Sequence, residues 1–430
     1  MTKASGTNSG ERGEKTEESK PLLASLVQAG EQQKEVVAIT DFIFMAKDIS
    51  NAYLVTTGDG DMLVNTGFMD SAERNKALFA PVRRGPLRAI ILTQGHPDHF
   101  GGVPALREPG TKVIAERRFT DTCRYFQQLM PYIGRRSAKL WSGTVKRKGT
   151  PVPEVVPDIT VDRRHAVEIG RRRFELISTP GGEALDSLVV WMPNERIVFT
   201  GNLFGPVFMS MPNLCTVRGD KPRSVVRYLR SLDMVRELGA ELLITGHGEP
   251  IRGAAKIRAD LDKLHAAVSY VNEATIAGMN AGKDVYTLMR EIRLPKELKI
   301  GEFHGKVSWA VRTIWEEYSG WFHYDSTTSL YDVPRSSING DLVELAGGAA
   351  PLVAAARQKL GQGRALEAMH LLDIALGAEP AHAAALAVKK EALQSLLKES
   401  GGTNLSETMW LKSEIAAVEA ALAPSQTAAS

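Results

Sequence analysis

One segment constrains this chain more than any other. Ala89-Ile90-Ile91-Leu92 is a continuous apolar run, and Thr93-Gln94-Gly95-His96-Pro97-Asp98-His99-Phe100-Gly101-Gly102 follows it directly. A short apolar run of this kind reads as a strand buried on both faces. The loop after it starts from a rigid platform, so its side chains converge over a sheet edge. Gln94 and His96 are two residues apart and can point to one side of that loop. Asp98 and His99 can serve a second position beside it. Imidazole and carboxylate suit zinc, manganese or iron, and Gly101-Gly102 lets the next helix pack close to the site. A second strand, Leu242-Leu243-Ile244-Thr245, runs into Gly246-His247-Gly248-Glu249-Pro250 and adds a histidine in the same kind of setting.

The surrounding chain supplies further strands. Phe42-Ile43-Phe44-Met45 and Ala52-Tyr53-Leu54-Val55 read as strands, and Gly58-Asp59-Gly60-Asp61 is a hairpin turn into Met62-Leu63-Val64. Lys112 to Ala115, Phe174 to Ile177, Leu188 to Trp191 and Ile197 to Thr200 continue the pattern. Strands interleaved with helices imply a layered α/β domain. After about Pro250 the chain turns helical. A helix is expected from Ala254 to Ala277, and a second from Lys306 to Phe322 carrying Trp309, Trp315 and Trp321. An ordered crossing loop is expected from Asp325 to Asn339. An Ala- and Leu-rich helical run follows from Ala349 to Leu397 and includes one tetratricopeptide-like hairpin.

Composition removes alternatives. Two cysteines, Cys123 and Cys215, leave no room for a disulfide framework or a zinc finger. Any metal must therefore be held by His, Asp, Glu and amide oxygens. With 53 basic and 50 acidic residues, the balance gives no mandate for nucleic acid. No apolar run approaches the ~20 residues of a membrane span. Residues 1–34 mix both charge signs with Gly, Ser and Thr and read as a polar tail without a secretory signal, so a cytoplasmic protein is expected. His165, His265, His304, His323, His370 and His382 lack a setting like that of His96, His99 and His247, and they are read as surface or structural residues.

The His-Pro-Asp-His-Phe-Gly-Gly segment resembles the metallo-β-lactamase superfamily motif, usually His-x-His-x-Asp-His. Asn51 to Val55, Leu63 to Gly67, Thr179 to Glu183, Phe199 to Asn202 and Thr245 to Pro250 match its other motifs in order. The downstream chain is similar to the alkyl sulfatases of that fold. It has Pro180-Gly181-Gly182-Glu183-Ala184, Asn213-Leu214-Cys215-Thr216-Val217-Arg218-Gly219 and the Gly320-Trp321-Phe322 signature. The resemblance implies an α/β chain: a four-layer αββα sandwich at 35–282, then an all-α dimerisation domain at 283–422, with tails at 1–34 and 423–430. It implies a metal site built from Gln94, His96, Asp98, His99, Glu183, Asn202 and His247, with Asp98 and His247 catalytic. It implies a sulfate held by Asn213, Thr216 and Arg218, and a homodimer with no nucleic-acid partner and no membrane span.

The sequence departs from that pattern in four places. Gln94 stands where the first histidine is usual. Asn202, or in another alignment Gly201, stands where a bridging acid is usual. Gly246 precedes His247 where paired histidines are common, and Asn65 replaces an aspartate in the first hairpin. Asp98, His99 and His247 still make a complete three-ligand zinc set. The expectation is one tight zinc, with manganese or iron as alternatives, and a second, weak position at Gln94, His96 and Glu183. The expected function is hydrolysis of an anionic ester, sulfate favoured, through a metal-bound hydroxide. The alternatives are a hydrolase of another ester, a lactone, a thioester or a phosphodiester, or a partly metal-depleted binding dimer.

Overall fold

In the computed structural model, which describes residues 30, 32–141, 151–221 and 223–423, the apolar runs become two facing sheets. The expected tails fall almost wholly outside these residues. The first sheet is ordered β1 (Val37–Ala38), β2 (Ile43–Ala46), β3 (Ala52–Thr56), β4 (Asp61–Val64), β5 (Leu87–Ile91), β6 (Lys112–Glu116) and β7 (Ile159–Val161). The second holds β8 (Arg164–Ile169), β9 (Arg172–Ser178), β10 (Leu188–Met192), β11 (Ile197–Gly201), β12 (Leu242–Thr245) and β13 (Ile251–Arg252), in spatial order β13 to β8. Most neighbours are antiparallel. β4–β5, β5–β6, β6–β7 and β11–β12 are parallel.

The strands of the inner layers are apolar on both faces because both faces are covered. Tyr53, Val55, Met62 and Ile91 of the first sheet meet Phe174, Leu188, Val190 and Phe199 of the second. Outside the first sheet, Leu54, Leu63 and Ile90 are covered by α1 (Ala72–Phe79), α2 (Pro97–Phe100), α3 (Val103–Leu106) and the start of α4 (Phe119–Gln128). Helix α5 (Met130–Trp141) follows α4. Outside the second sheet, Val189, Trp191, Val198 and Leu243 pack under α6 (Val225–Glu237), α7 (Ala254–Asn280), α8 (Val285–Glu291) and α9 (Val307–Ser319). These are the four layers of an αββα sandwich. One continuous core joins the second sheet to α8 and α9, so the helical region begins as part of the outer layer.

The remaining helices form an all-helical unit: α10 (Asn339–Leu345), α11 (Ala349–Gly361), α12 (Ala365–Ala378), α13 (Ala383–Glu399) and α14 (Leu405–Leu422). Alanines line its centre (Ala356, Ala368, Ala375, Ala385), and their small side chains let the backbones approach closely. Helix α14 also lies against α5, where the Lys139 ammonium sits 5.4 Å from the Trp410 ring.

One expectation is corrected. The helix expected to reach Phe322 stops at Ser319, because Gly320 takes φ 76° and turns the chain. Trp321 therefore leaves the helix and is 72% exposed. The crossing loop after Asp325 carries two 3-10 turns, Thr327–Leu330 and Arg335–Ile338. The sequence reading also missed β1, β7, β8 and β13. β8 is a sheet edge whose exposed alternate positions are Arg164, Ala166 and Glu168, so it lacks an apolar run.

Asn404 ties the two ends of the helical region together. Its Oδ1 accepts the Glu407 N–H at 3.1 Å and caps α14, while its Nδ2 donates to the Glu302 carbonyl at 2.9 Å. Asn404→Ala loses the cap and leaves a part-buried carbonyl unpaired. It should lower stability by about 2 kcal/mol, read as a reduced urea midpoint with an unchanged slope. An unchanged midpoint removes Asn404 from this role.

Candidate metal and anion site

The site forms where the parallel pairs end. Strands β4, β5, β11 and β12 deliver Asn65, the 93–99 loop, Asn202 and His247 to one edge of the sandwich. Carboxyl ends of parallel strands are where such folds place ligands. The loops are laced together by backbone hydrogen bonds: Thr66 N–H to the His99 carbonyl at 2.8 Å, Gly246 N–H to Gly201 at 2.9 Å, and Asn51 N–H to Gly246 at 2.8 Å. Gly246 has no room for a side chain, since a Cβ there would lie 2.2 Å from Asn202 Oδ1.

Among the described residues, Asp98, His99 and His247 form the one cluster of three histidine, cysteine or acidic side chains whose donor atoms converge, all within 4.8 Å of one another. His247 Nδ1 donates to the Ile49 carbonyl, which leaves its Nε2 lone pair for a metal. His99 Nε2 is buried with no hydrogen-bond partner and sits 3.6 Å from Asp98 Oδ2. Burial pushes His99 down to about 4, so it is neutral at pH 7. For Asp98, burial acts upward, but the imidazoles of His99, His247 and His96 outweigh it and keep the carboxyl below its ordinary range. Neutral imidazole and ionised carboxylate are the ligand forms a metal requires. The donor set and the orphaned Nε2 fit a divalent ion.

The second expected position is built differently. Gln94 Nε2 is 2.5 Å from His96 Nδ1, so the amide and the imidazole are joined to each other. Gln94 Oε1, Glu183 Oε2 and Asn202 Oδ1 are buried without partners. Glu183 Oε1 lies 4.0 Å from Arg223 Nη2. Burial alone would raise the Glu183 carboxyl, but Arg223 and His96 overcome it and hold it well below the usual range.

Three buried donors of the segment that follows the second sheet's β11 lack an acceptor: Asn213 Nδ2, Thr216 Oγ1 and Arg218 Nε. Unspent buried donors are costly unless a ligand accepts from them. Arg218 Nη2 is 3.8 Å from Asp220 Oδ2, and Arg223 Nη2 is 3.5 Å from the same atom. A cavity of about 200 Å³ opens next to them, lined by His96, Glu183, Arg223, Lys221, Tyr125 and Phe126 among others. Lys221 Nζ sits 4.8 Å from the Tyr125 ring.

Two residues of this region were missed. Arg223 is 5% exposed and donates to the Asn213 carbonyl at 2.5 Å, although its sequence neighbours read as a basic surface stretch. Its setting after Asp220 and Pro222 was the only available signal. His304 was read as surface or structural. It is buried and interacts electrostatically with Glu183, Arg223, Arg218 and His247, and burial pushes it down to about 4. The segment around it is held by Met211 N–H to the Gly301 carbonyl at 2.8 Å and Gly301 N–H to Met209 at 2.9 Å. That is a pairing across about ninety residues, which local sequence does not encode.

Asp186 lies fully buried behind the loop that carries Gln94 and His96, and a Cβ on Gly95 would lie 2.9 Å from its Oδ2. Burial pushes its carboxyl up to about 7. The folded protein thus binds this proton more tightly than the unfolded chain. The associated stability is present in acid and is lost as pH rises from about 4 through about 7. Asp186→Asn should therefore be neutral near pH 4 and stabilising at pH 8, measured as the difference in Tm from wild type at the two values. A difference that does not grow with pH contradicts the shift.

The fold and its order of domains have counterparts among known proteins. The metallo-beta-lactamase superfamily profile matches residues 46–247, and the alkyl sulfatase dimerisation profile matches residues 286–412. A linear primary-alkylsulfatase from Pseudomonas sp. (strain ATCC 19151) is 26% identical over 324 residues, covering 69% of this chain and 60% of that protein. The alkyl/aryl-sulfatase BDS1 of Saccharomyces cerevisiae is 24% identical over 395 residues, covering 83% and 60%. The chain thus spans about 60% of the length of these curated relatives. The stereoselective inverting sec-alkylsulfatase Pisa1 from Pseudomonas sp. superposes with a TM-score of 0.81 at 20% identity, covering 91% of this chain and 66% of that one. Among the described residues, no helix is long and apolar enough to cross a membrane. The chain is a metallo-β-lactamase domain followed by an alkyl sulfatase dimerisation domain.

Proposed function

We propose that this chain is a metal-dependent hydrolase of sulfate esters that works with one tightly held divalent ion. The observation that carries the reading is the convergence of the Asp98, His99 and His247 donor atoms, and it is supported by Arg218, whose charge acts on His96 and His304, and by the unspent buried donors of Asn213, Thr216 and Arg218 on one segment of the chain. A divalent ion in that cluster would supply Lewis acidity and hydroxide near neutral pH. Zinc suits two imidazoles and a carboxylate, with manganese or iron as the other candidates. Asp98 brings an ionised carboxylate to offset the ion's charge. Arg218 presents a planar fork to sulfate oxygens, Asn213 and Thr216 add neutral donors, and Arg223 keeps the neighbouring Glu183 ionised. His304 brings a neutral imidazole to the same space from the helical region. Gln94, His96 and Glu183 would hold a second ion only weakly, because an amide oxygen is a neutral donor and Asn202 adds no charge.

The cavity at Tyr125 and Phe126 takes the alcohol part of the ester. Its Tyr125, Phe126, Ala184 and Leu185 walls offer apolar surface to the alcohol carbons. The relatives named as alkyl and alkyl/aryl sulfatases support the ester class. The units run 35–282 and 283–422, and the second mediates a homodimer. Trp321, Tyr324 and Leu345 are 72%, 88% and 84% exposed along one segment of that unit, and a second copy would cover them. The two free cysteines suit a reducing compartment, and we place the enzyme in the cytoplasm.

Zinc-loaded protein should carry about one ion per chain by elemental analysis. Asp98→Ala and His247→Ala should lose it, and Gln94→His should gain a second. It should release inorganic sulfate from alkyl or aryl sulfates. Arg218→Ala should raise KM for these about ten- to a hundredfold, while leaving a neutral carboxyl ester unaffected. No bound metal under any loading condition, or no sulfate released from any ester, overturns the reading. By light scattering the protein should be a dimer, and Trp321→Ser with Tyr324→Ser should weaken it. A monomer in the wild type removes the dimer assignment.

A further inference from the structure

The two histidines of the metal cluster are held in opposite ways. His247 Nδ1 faces a carbonyl, which can only accept, so its proton stays on Nδ1 and Nε2 is free to bind a cation. His99 Nδ1 faces Asn65 Nδ2 at 3.0 Å. The Asn65 amide cannot turn over. Its Oδ1 already accepts from the Thr93 backbone N–H at 3.0 Å and from Thr93 Oγ1 at 3.1 Å. A backbone N–H only donates, so the oxygen must face Thr93 and the NH₂ must face His99.

We infer that Asn65 holds His99 in the tautomer that opposes metal binding, and so weakens this site's grip on its ion. The inference rests on the metal reading given above. An amide nitrogen only donates, so His99 Nδ1 accepts and its proton goes to Nε2, the nitrogen that faces Asp98. A cation at Nε2 requires that proton to move to Nδ1. There it would meet the Asn65 N–H head on. Two hydroxyls relieve part of this conflict. Ser50 Oγ lies 3.1 Å from His99 Nδ1 and spends its own proton on the Gly246 carbonyl at 3.3 Å, so it can accept. Thr93 Oγ1, at 3.3 Å, spends its proton on Asn65 Oδ1 and can accept as well. Ser50, the nearer of the two, and Thr93 thus let the metal-binding tautomer form, and Asn65 is the group that resists it. An aspartate at 65 would accept from both Thr93 and His99. It would also tolerate the backbone there, since Asn65 has φ 60° and Asp shares Asn's tolerance of that region.

Asn65→Asp is the direct test. In a competition titration against a chromophoric chelator, it should bind zinc at least about tenfold more tightly than wild type, the scale of outer-shell changes at metal histidines. Ser50→Ala, in the wild-type background, should bind zinc more weakly. In metal-free protein, ¹⁵N NMR should show His99 protonated on Nε2 in wild type and on Nδ1 in Asn65→Asp. The inference is overturned by a wild-type His99 protonated on Nδ1, or by equal zinc affinities in folded wild type and Asn65→Asp. If Asn65→Asp does not fold, the wild-type tautomer and the Ser50→Ala titration decide. If no variant takes zinc at all, the metal reading falls, while the NMR tautomer still decides the role of Asn65.

Discussion

The structure depends on one backbone crossing. Gly246, directly after β12, donates to Gly201 of the neighbouring parallel strand and accepts from Asn51 of the opposite sheet. The two sheets are thereby fastened edge to edge at the place where β5 and β12 release their loops. A side chain at 246 would collide with Asn202 and press on His99. The metal cluster is thus a product of close backbone approach, and its three donors belong to loops that the crossing holds in register. Tyr53, whose hydroxyl donates to the Thr245 carbonyl at 2.8 Å, extends the same fastening into the core between the sheets.

Burial governs the electrostatics built on that crossing. His96, His99 and His304 are all pushed down by desolvation, so the site holds neutral imidazoles. Asp98 and Glu183 stay ionised against the same desolvation only because cationic or dipolar partners face them. Asp186, with no such partner close enough to prevail, is pushed up to about 7. Three carboxyl groups within one region therefore take different forms because of what stands next to each of them.

Much of this was legible in the sequence, and what was not has a physical reason. The apolar runs and the turns between them announce the inner strands, because burial on both faces leaves a continuous signal. His96, Asp98, His99 and His247 are legible because each follows such a run directly. β8 left no such signal, since an edge strand exposing Arg164, Ala166 and Glu168 at alternate positions looks like a loop. Arg223 and His304 were illegible for a different reason. Their burial is created by contacts between segments far apart in sequence, and a buried arginine looks the same as an exposed one on the page. Trp321 failed in the opposite direction, because helical spacing alone carried the expectation past Gly320.

The residues that depart from a fully ionic site act together. Gln94 and Asn202 contribute neutral amide oxygens, and both oxygens are buried without donors. A second dication would be needed to balance Glu183 if nothing else did so. Arg223 does so instead, 4.0 Å away and itself buried, with Asp220 completing its charge balance. One fixed guanidinium thus stands near the position where a second ion would otherwise bind, and it is oriented by its own hydrogen bond to Asn213. A guanidinium does not dissociate, so the anion-binding half of the site keeps its positive charge whatever the metal supply. The metal half has no such permanence. Its affinity depends on where one proton sits on His99, and the Asn65 amide and the Ser50 hydroxyl pull that proton in opposite directions.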